Sequence, residues 1–208
     1  MDRLGQSGGV VIHDFQKSLD RSTSLSDEAT WVALYRSVWT SQILQIVGCG
    51  KDSVYQRWGV DREIKLVTGQ LITIDEKKRE KDYGDFLAEE YSVWHSEKDS
   101  RNKVGWTLDR SKRCDYVAYA IVPSGECHLL PFDLLRRTAR ARWSEWKKHP
   151  QYPRFAENRG YKTKNCPVPW DRLWSDMRAI SQSEFGGKLD LPKAFTVGDQ
   201  TIFKWDDQ

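Results

Sequence analysis

No apolar run in these 208 residues approaches the roughly 20 that a membrane-spanning helix needs, and residues 1–24 lack the apolar block of a signal peptide. The sequence therefore argues against a membrane protein and points to the cytoplasm. Four cysteines, Cys49, Cys114, Cys127 and Cys166, lie far apart with no CxxC pair, which argues against a disulfide frame or a zinc site and for reduced, buried thiols. His13, His95, His128 and His149 show no metal-ligand spacing. Charge of one sign is also lacking: 33 basic against 30 acidic residues leave a net +3, so any nucleic-acid footprint has to come from local segregation of charge. No internal repeat or low-complexity tract is visible. What the chain has in excess is tryptophan, ten residues, expected at the margin of a core or on a contact face because the indole buries well but its N–H needs a partner.

At 38% hydrophobic content the chain can build one sizeable core. Residues 1–24, rich in Gly, Ser, Asp and Lys, read as an arm, and 25–208 as a single domain. A helix of about four turns is expected from Ser26, a capping residue, with Asp27 and Glu28 in its first turn and Trp31, Leu34, Tyr35 and Val38 on one face, ending near Gly48-Cys49-Gly50. A polar connection over 51–58 leads to a hairpin over 60–78 that turns at Thr68-Gly69. Strands are expected over 85–94, 115–122 and 126–131, with a polar loop over 95–103. A helix follows from Phe132, with one strongly basic side, broken by Pro150 and Pro153. An irregular stretch over 158–161, a last helix with Pro169 near its start, and a terminal hairpin over 195–203 complete the chain. That order implies an α+β fold, a mixed α/β layer with a central mixed sheet flanked by helices.

The hairpin carries its charges at unusual places: Asp61 opens the first strand, and Asp75, Glu76 and Lys77 follow Ile72 and Ile74 on the second. Side chains alternate faces along a strand, so Asp75 and Lys77 share a face, and one residue of register decides whether Asp61 joins them. A two-residue turn sets Asp61 opposite Glu76, on the other face. A three-residue loop or a bulge is expected instead, setting Asp61 opposite Lys77 and Glu63 opposite Asp75. Two carboxylates and an ammonium gathered in this way suit Mg²⁺ or Mn²⁺ and phosphodiester hydrolysis. The bland alternative is a surface hairpin with a cross-strand ion pair worth under ~1 kcal/mol.

Asp61, then Ile74-Asp75-Glu76-Lys77 after a Gly-containing turn, with a preceding helix that carries Glu28, resembles the core of the PD-(D/E)XK nuclease superfamily. The wider pattern, including 83–92, 115–119 and 129–136, is similar to small phage and bacterial proteins placed there. The resemblance spans roughly 26–175 and implies a restriction-endonuclease-like core and a metal-dependent endonuclease or exonuclease acting on DNA. It makes Asp61 and Asp75 metal ligands, Lys77 the catalytic lysine, and Glu28 the acid that many members place on the first helix; a first-turn dipole role for Glu28 stands beside that reading. Val60 replaces the proline usual before Asp61. Glu76 with Lys78 offers a second acid-x-Lys on the opposite face, and Glu89 or Glu90 is a further candidate ligand. Arg136, Arg137 and Arg140 on the basic helix are candidates for contact with a phosphate backbone, or else form a solvated face. Restriction-type and junction-resolving members act as dimers, but no dimer face stands out here. The rival function is a nuclease-like scaffold that binds DNA or a protein partner without cutting, for instance a phage-encoded modulator of host machinery.

Overall fold

The computed structural model describes residues 25–49 and 53–185. The expected N-terminal arm and the expected hairpin over 195–203 lie outside the described residues. The described residues form two sheets and four α-helices. Strands β1 (Ile43–Gly48), β2 (Arg62–Leu66), β3 (Leu71–Arg79), β6 (Tyr116–Ile121) and β7 (Glu126–Pro131) make a five-stranded sheet in the order β1-β2-β3-β6-β7. Its β3–β6 pair is parallel and its other pairs are antiparallel. Strands β4 (Asp85–Trp94), β5 (Lys103–Val104), β8 (Arg154–Asn158) and β9 (Tyr161–Pro169) make an antiparallel sheet in the order β5-β4-β9-β8. The expected α+β class, a mixed sheet flanked by helices, is what the chain adopts.

The first sheet is covered on both faces, which is why β6 can be a continuous apolar run rather than an alternating one. Helix α1 (Leu25–Trp39) packs Trp31, Leu34 and Tyr35 onto Ile64, Ile72, Ile74, Ala118 and Leu129 of one face. On the other face Val117, Tyr119 and Ile121 meet Phe86 and Ala88 of β4, Cys166 and Val168 of β9, and residues of α3 (Phe132–Trp146) and α4 (Trp170–Phe185) such as Leu135, Leu173 and Met177. No helix among the described residues is long and apolar enough to cross a membrane. The four cysteines are free and buried, as expected. Trp146 is core, its indole N–H donating to Asp176 at 2.9 Å, and Trp143 packs half-buried beside it.

Four parts of the chain depart from the expectation. The first helix stops at Trp39, and a 3₁₀ turn (Thr40–Gln42) leads into strand β1 where helix was expected to run on to Gly48. β1 is an edge strand with Leu44 and Val47 exposed, so its Ile-Leu-Gln-Ile-Val run shows no strand alternation. Residues Ser53–Trp58 form a short helix, α2, in place of a plain connection. The stretch around Asn158–Tyr161 is the turn of a regular hairpin, β8–β9, and the expected strand over 85–94 pairs with β9 rather than joining the first sheet.

His128 on β7 is buried against Trp170, with ring centroids 3.7 Å apart, and neither ring nitrogen has a hydrogen-bond partner among the described residues. Burial pushes its pKa down to about 4, with Asp82 pulling weakly the other way. The imidazole is therefore neutral in the fold and takes up a proton on unfolding as the pH drops from 6.5 toward 4. Stability is fully present above pH 6.5 and is lost through that window, by about 2 kcal/mol at pH 5. The variant His128→Phe should lose less of its melting temperature than wild type between pH 7 and pH 5; equal losses would contradict this account.

Candidate functional site

The hairpin closes through a three-residue loop. Gly69 N–H donates to Leu66 O and Leu66 N–H to Gln70 O, both at 2.9 Å, so Val67, Thr68 and Gly69 form the loop. Gly69 has φ +86°, the left-handed position that ends a type I turn with a bulge, and a residue with a Cβ is disfavoured there. This fixes the register: Arg62 pairs with Ile74 and Glu63 with Thr73. The paired register ends there: Asp61 N–H donates to Ile74 O at 2.8 Å, and the Asp61 carboxylate comes close enough to Asp75 to raise its pKa. The expected odd register is present, but the expected partners are corrected. Asp61 acts on Asp75 rather than standing opposite Lys77, because the loop takes in Val67 and thereby places Gly69, not Gln70, at the left-handed position.

Asp61, Asp75 and Lys77 consequently share one face. Lys77 Nζ bonds Asp75 Oδ1, and Asp61 Oδ2 accepts the Glu76 N–H at 2.8 Å. Asp75 is 2% exposed, and its pKa is pushed up to about 7 by burial and by the Asp61 carboxylate, against the pull of Lys77. Burial disfavours the charge on Lys77 as well, yet Asp75, Asp61 and Glu89 outweigh it and hold the ammonium above the ordinary lysine value. Lys77 Nζ also lies 5.6 Å from the Trp106 ring centroid.

Two further groups border this cluster. Glu89, left open by the sequence, lies near Lys77; its Oε1 accepts the Trp106 N–H at 3.2 Å, and burial raises its pKa. Glu90 is committed elsewhere, to Lys147 at 2.5 Å, Tyr152 at 2.8 Å and Lys164 at 3.4 Å. Lys112 is the residue that sequence reasoning missed. Gly59 has φ +67°, and a Cβ on it would meet Lys112 Cδ at 2.7 Å, Lys112 Nζ at 3.2 Å and Asp75 Oδ2 at 3.3 Å. Glycine thus lets the α2–β2 turn settle against Asp75 with Lys112 alongside. The sequence signal was the basic run Arg110-Ser-Lys-Arg113, whose place depends on loop packing such as Arg113 N–H to Trp58 O at 2.8 Å.

Glu28 does not join this face. Its carboxylate receives Arg62 Nη1 at 2.6 Å and Nη2 at 2.9 Å, and Arg62 Nε also donates to Glu76 at 2.6 Å, with Tyr35 Oη donating to Glu76 at 2.8 Å. Arg62 and Glu76 stand on the face covered by α1, opposite Asp75, because each is one residue out of phase with it. The expected catalytic place for Glu28 is corrected on that ground, and the alternative pairing of Glu76 with Lys78 gives way to the Glu76–Arg62 pair. Of the basic helix, Arg137 pairs with Asp133 at 2.7 Å, while Arg136 bonds Asp133 and Lys112 O at 3.2 and 3.3 Å. Arg140 is exposed, close enough to Arg136 and Arg110 to feel their charge.

Among the described residues no group of three His, Cys, Asp or Glu side chains is arranged to hold a metal ion. Two carboxylates face each other, and Mg²⁺ commonly takes only one or two, completing its octahedron with water and substrate phosphate. The donor set fits such an ion: hard oxygens, at a place where burial and the Asp61 charge push the Asp75 pKa up to about 7. A divalent cation would relieve that repulsion.

No protein-family profile matches this chain, and no curated protein matches it. Among solved structures, the bacterial homing endonuclease I-Ssp6803I is similar over 54% of this chain and 70% of that one, with 13% identity and a TM-score of 0.35. A superposition that loose assigns neither fold nor activity to this chain.

Proposed function

We propose that the face bearing Asp61, Asp75 and Lys77 hydrolyses phosphodiester bonds of DNA in a reaction that needs Mg²⁺ or Mn²⁺. The observation that carries the reading is the gathering of the Asp61 carboxylate beside Asp75, with Lys77 bonded to Asp75. The ion, held by the two carboxylates, would neutralise phosphate charge and acidify a bound water. With its oxygens on such an ion, Asp75 would be ionised and its bond to Lys77 released. The freed Lys77 ammonium then orients the attacking water or stabilises the charge that builds on the non-bridging phosphate oxygens. Water adds to phosphorus and gives up a proton, the P–O bond to the leaving deoxyribose oxygen breaks, and that oxygen takes up a proton. Glu89 adds a smaller charge, after Asp75 and Asp61, that favours the ammonium, and Lys112 adds positive charge near Asp75.

Purified protein is expected to cleave one or more of duplex, single-stranded and branched DNA with Mg²⁺ or Mn²⁺, and none with EDTA. Asp75→Asn should abolish the metal-dependent cleavage. Wild-type rates in that variant, or cleavage that survives EDTA, would sink the assignment. A second reading, binding without cleavage, is favoured by the burial of Asp75 and its closed pair with Lys77. Under that reading wild type and Asp75→Asn bind DNA equally and neither cuts.

A further inference from the structure

Beside the carboxylate face lies a cleft of about 320 Å³ between the loop over 105–115 and the start of α3. Arg110, Lys112, Arg113 and Arg136 line it, with Asp115 and Asp133 as the acidic members. Both acids are engaged: Asp115 accepts the Thr73 N–H and hydroxyl, each at 2.8 Å, and Asp133 pairs with Arg136 and Arg137. Among the described residues no carboxylate pairs with Arg110, Lys112 or Arg113. Arg136 keeps a buried Nε–H without a partner among the described residues. Arg140, four residues along α3 from Arg136, has its pKa lowered by desolvation and by repulsion from Arg136 and Arg110. Cations gathered against their own repulsion, with one buried donor left over, describe a place that lacks an anion.

The cleft shares a wall with the candidate catalytic face. Lys112 belongs to both, since its side chain runs beside Gly59, which also abuts Asp75, while its Nζ donates to Gln56 O at 3.2 Å; the Cys114 thiol that lines the cleft is pushed up to about 12 by burial and by the Asp75 charge. We infer that this cleft is a phosphate subsite, in which Arg110, Arg113 and Arg136 hold a backbone phosphodiester of the nucleic acid adjacent to the bond placed at Asp61, Asp75 and Lys77. The inference rests on the nuclease reading for its neighbour, but its own ligand is the phosphate group. Guanidinium forks fit the paired non-bridging oxygens of a phosphodiester, and contacts to the backbone alone position a strand without reading its sequence.

The test measures binding separately from cutting. Fluorescence anisotropy of a labelled oligonucleotide, duplex and single-stranded, is followed in EDTA over a salt series. Arg110 and Arg113 are exposed, so their alanine variants are expected to fold as wild type does, checked by circular dichroism. Arg110→Ala and Arg113→Ala should each weaken binding about 3- to 10-fold and reduce the slope of log K against log salt by about 1. Arg159→Ala, which removes an exposed charge from the β8–β9 turn, should stay within about twofold. Inorganic phosphate and a mononucleotide serve as competitors. If they bind as tightly as the oligonucleotide, and the double variant Arg110→Ala with Arg113→Ala loses them while keeping the oligonucleotide, the site serves free phosphates and the backbone assignment is overturned. It is overturned equally if wild type binds no oligonucleotide, or if the double variant binds with unchanged affinity and slope. Binding lost in the arginine variants while no form of the protein cuts would keep the subsite and remove the nuclease reading. Cutting by wild type alongside normal binding by the double variant would do the reverse.

Discussion

Replacement of Lys77 by methionine is expected to lower metal-dependent DNA cleavage by about 100- to 1,000-fold, the usual cost of removing one group aimed at charge that develops in a transition state. The same change should leave the fold standing. Methionine keeps the apolar length that packs near Trp106, and Asp75, already pushed up to about 7 by burial and Asp61, can stay protonated once its ammonium is gone. Raising the pH should restore little, because the missing group is a cation rather than a base. Cleavage by Lys77→Met within about threefold of wild type would show that Lys77 is only the partner of a buried carboxylate.

On the opposite face of the same hairpin, Arg62→Ala is expected to destabilise the protein by about 3–5 kcal/mol, the range for removing one member of a buried ion pair. Arg62 is 4% exposed and is the charge partner of Glu76, whose pKa is raised by burial in spite of Arg62 and Tyr35. Without the guanidinium, Glu76 must take a proton or unfold the α1 contact. Glu28→Gln should cost under about 1 kcal/mol, because Glu28 is 53% exposed at the outer end of the network. It should also cut DNA as wild type does. Chemical denaturation and cleavage rates together separate the two faces: stability follows Arg62, and activity follows Lys77. A Glu28→Gln variant that is stable but inactive would return Glu28 to the chemistry.

The two faces show how far sequence reasoning reaches. Alternation along Ile72, Ile74 and their charged neighbours set the choice of face to one residue of register, and an odd loop was the expected answer. Which odd loop depended on Gly69 taking the left-handed position, a detail that pairs Arg62 with Ile74 and leaves Asp61 acting on Asp75. Glu28 was misplaced because a helix preceding the hairpin says nothing about which face it covers; α1 sits over Arg62 and Glu76. Strand β1 escaped notice because its edge position leaves it without alternation after a helix of similar apolar spacing. β8–β9 escaped because Pro167, Pro169 and the lysines at 162 and 164 mask its pattern, although Arg159-Gly160 between paired Asn158 and Tyr161 is a two-residue turn signal. The cleft of Arg110, Lys112 and Arg113 had no periodicity to read at all. It exists only once the loop is packed against Trp58 and the start of α3.

The central claim is that Asp61 and Asp75 together hold a divalent metal. Anomalous diffraction from crystals soaked in Mn²⁺ tests it most directly. The account predicts a peak between the two carboxylates, with Lys77 released from Asp75. A fully soaked crystal with no peak there, and Lys77 still bonded to Asp75, would contradict it.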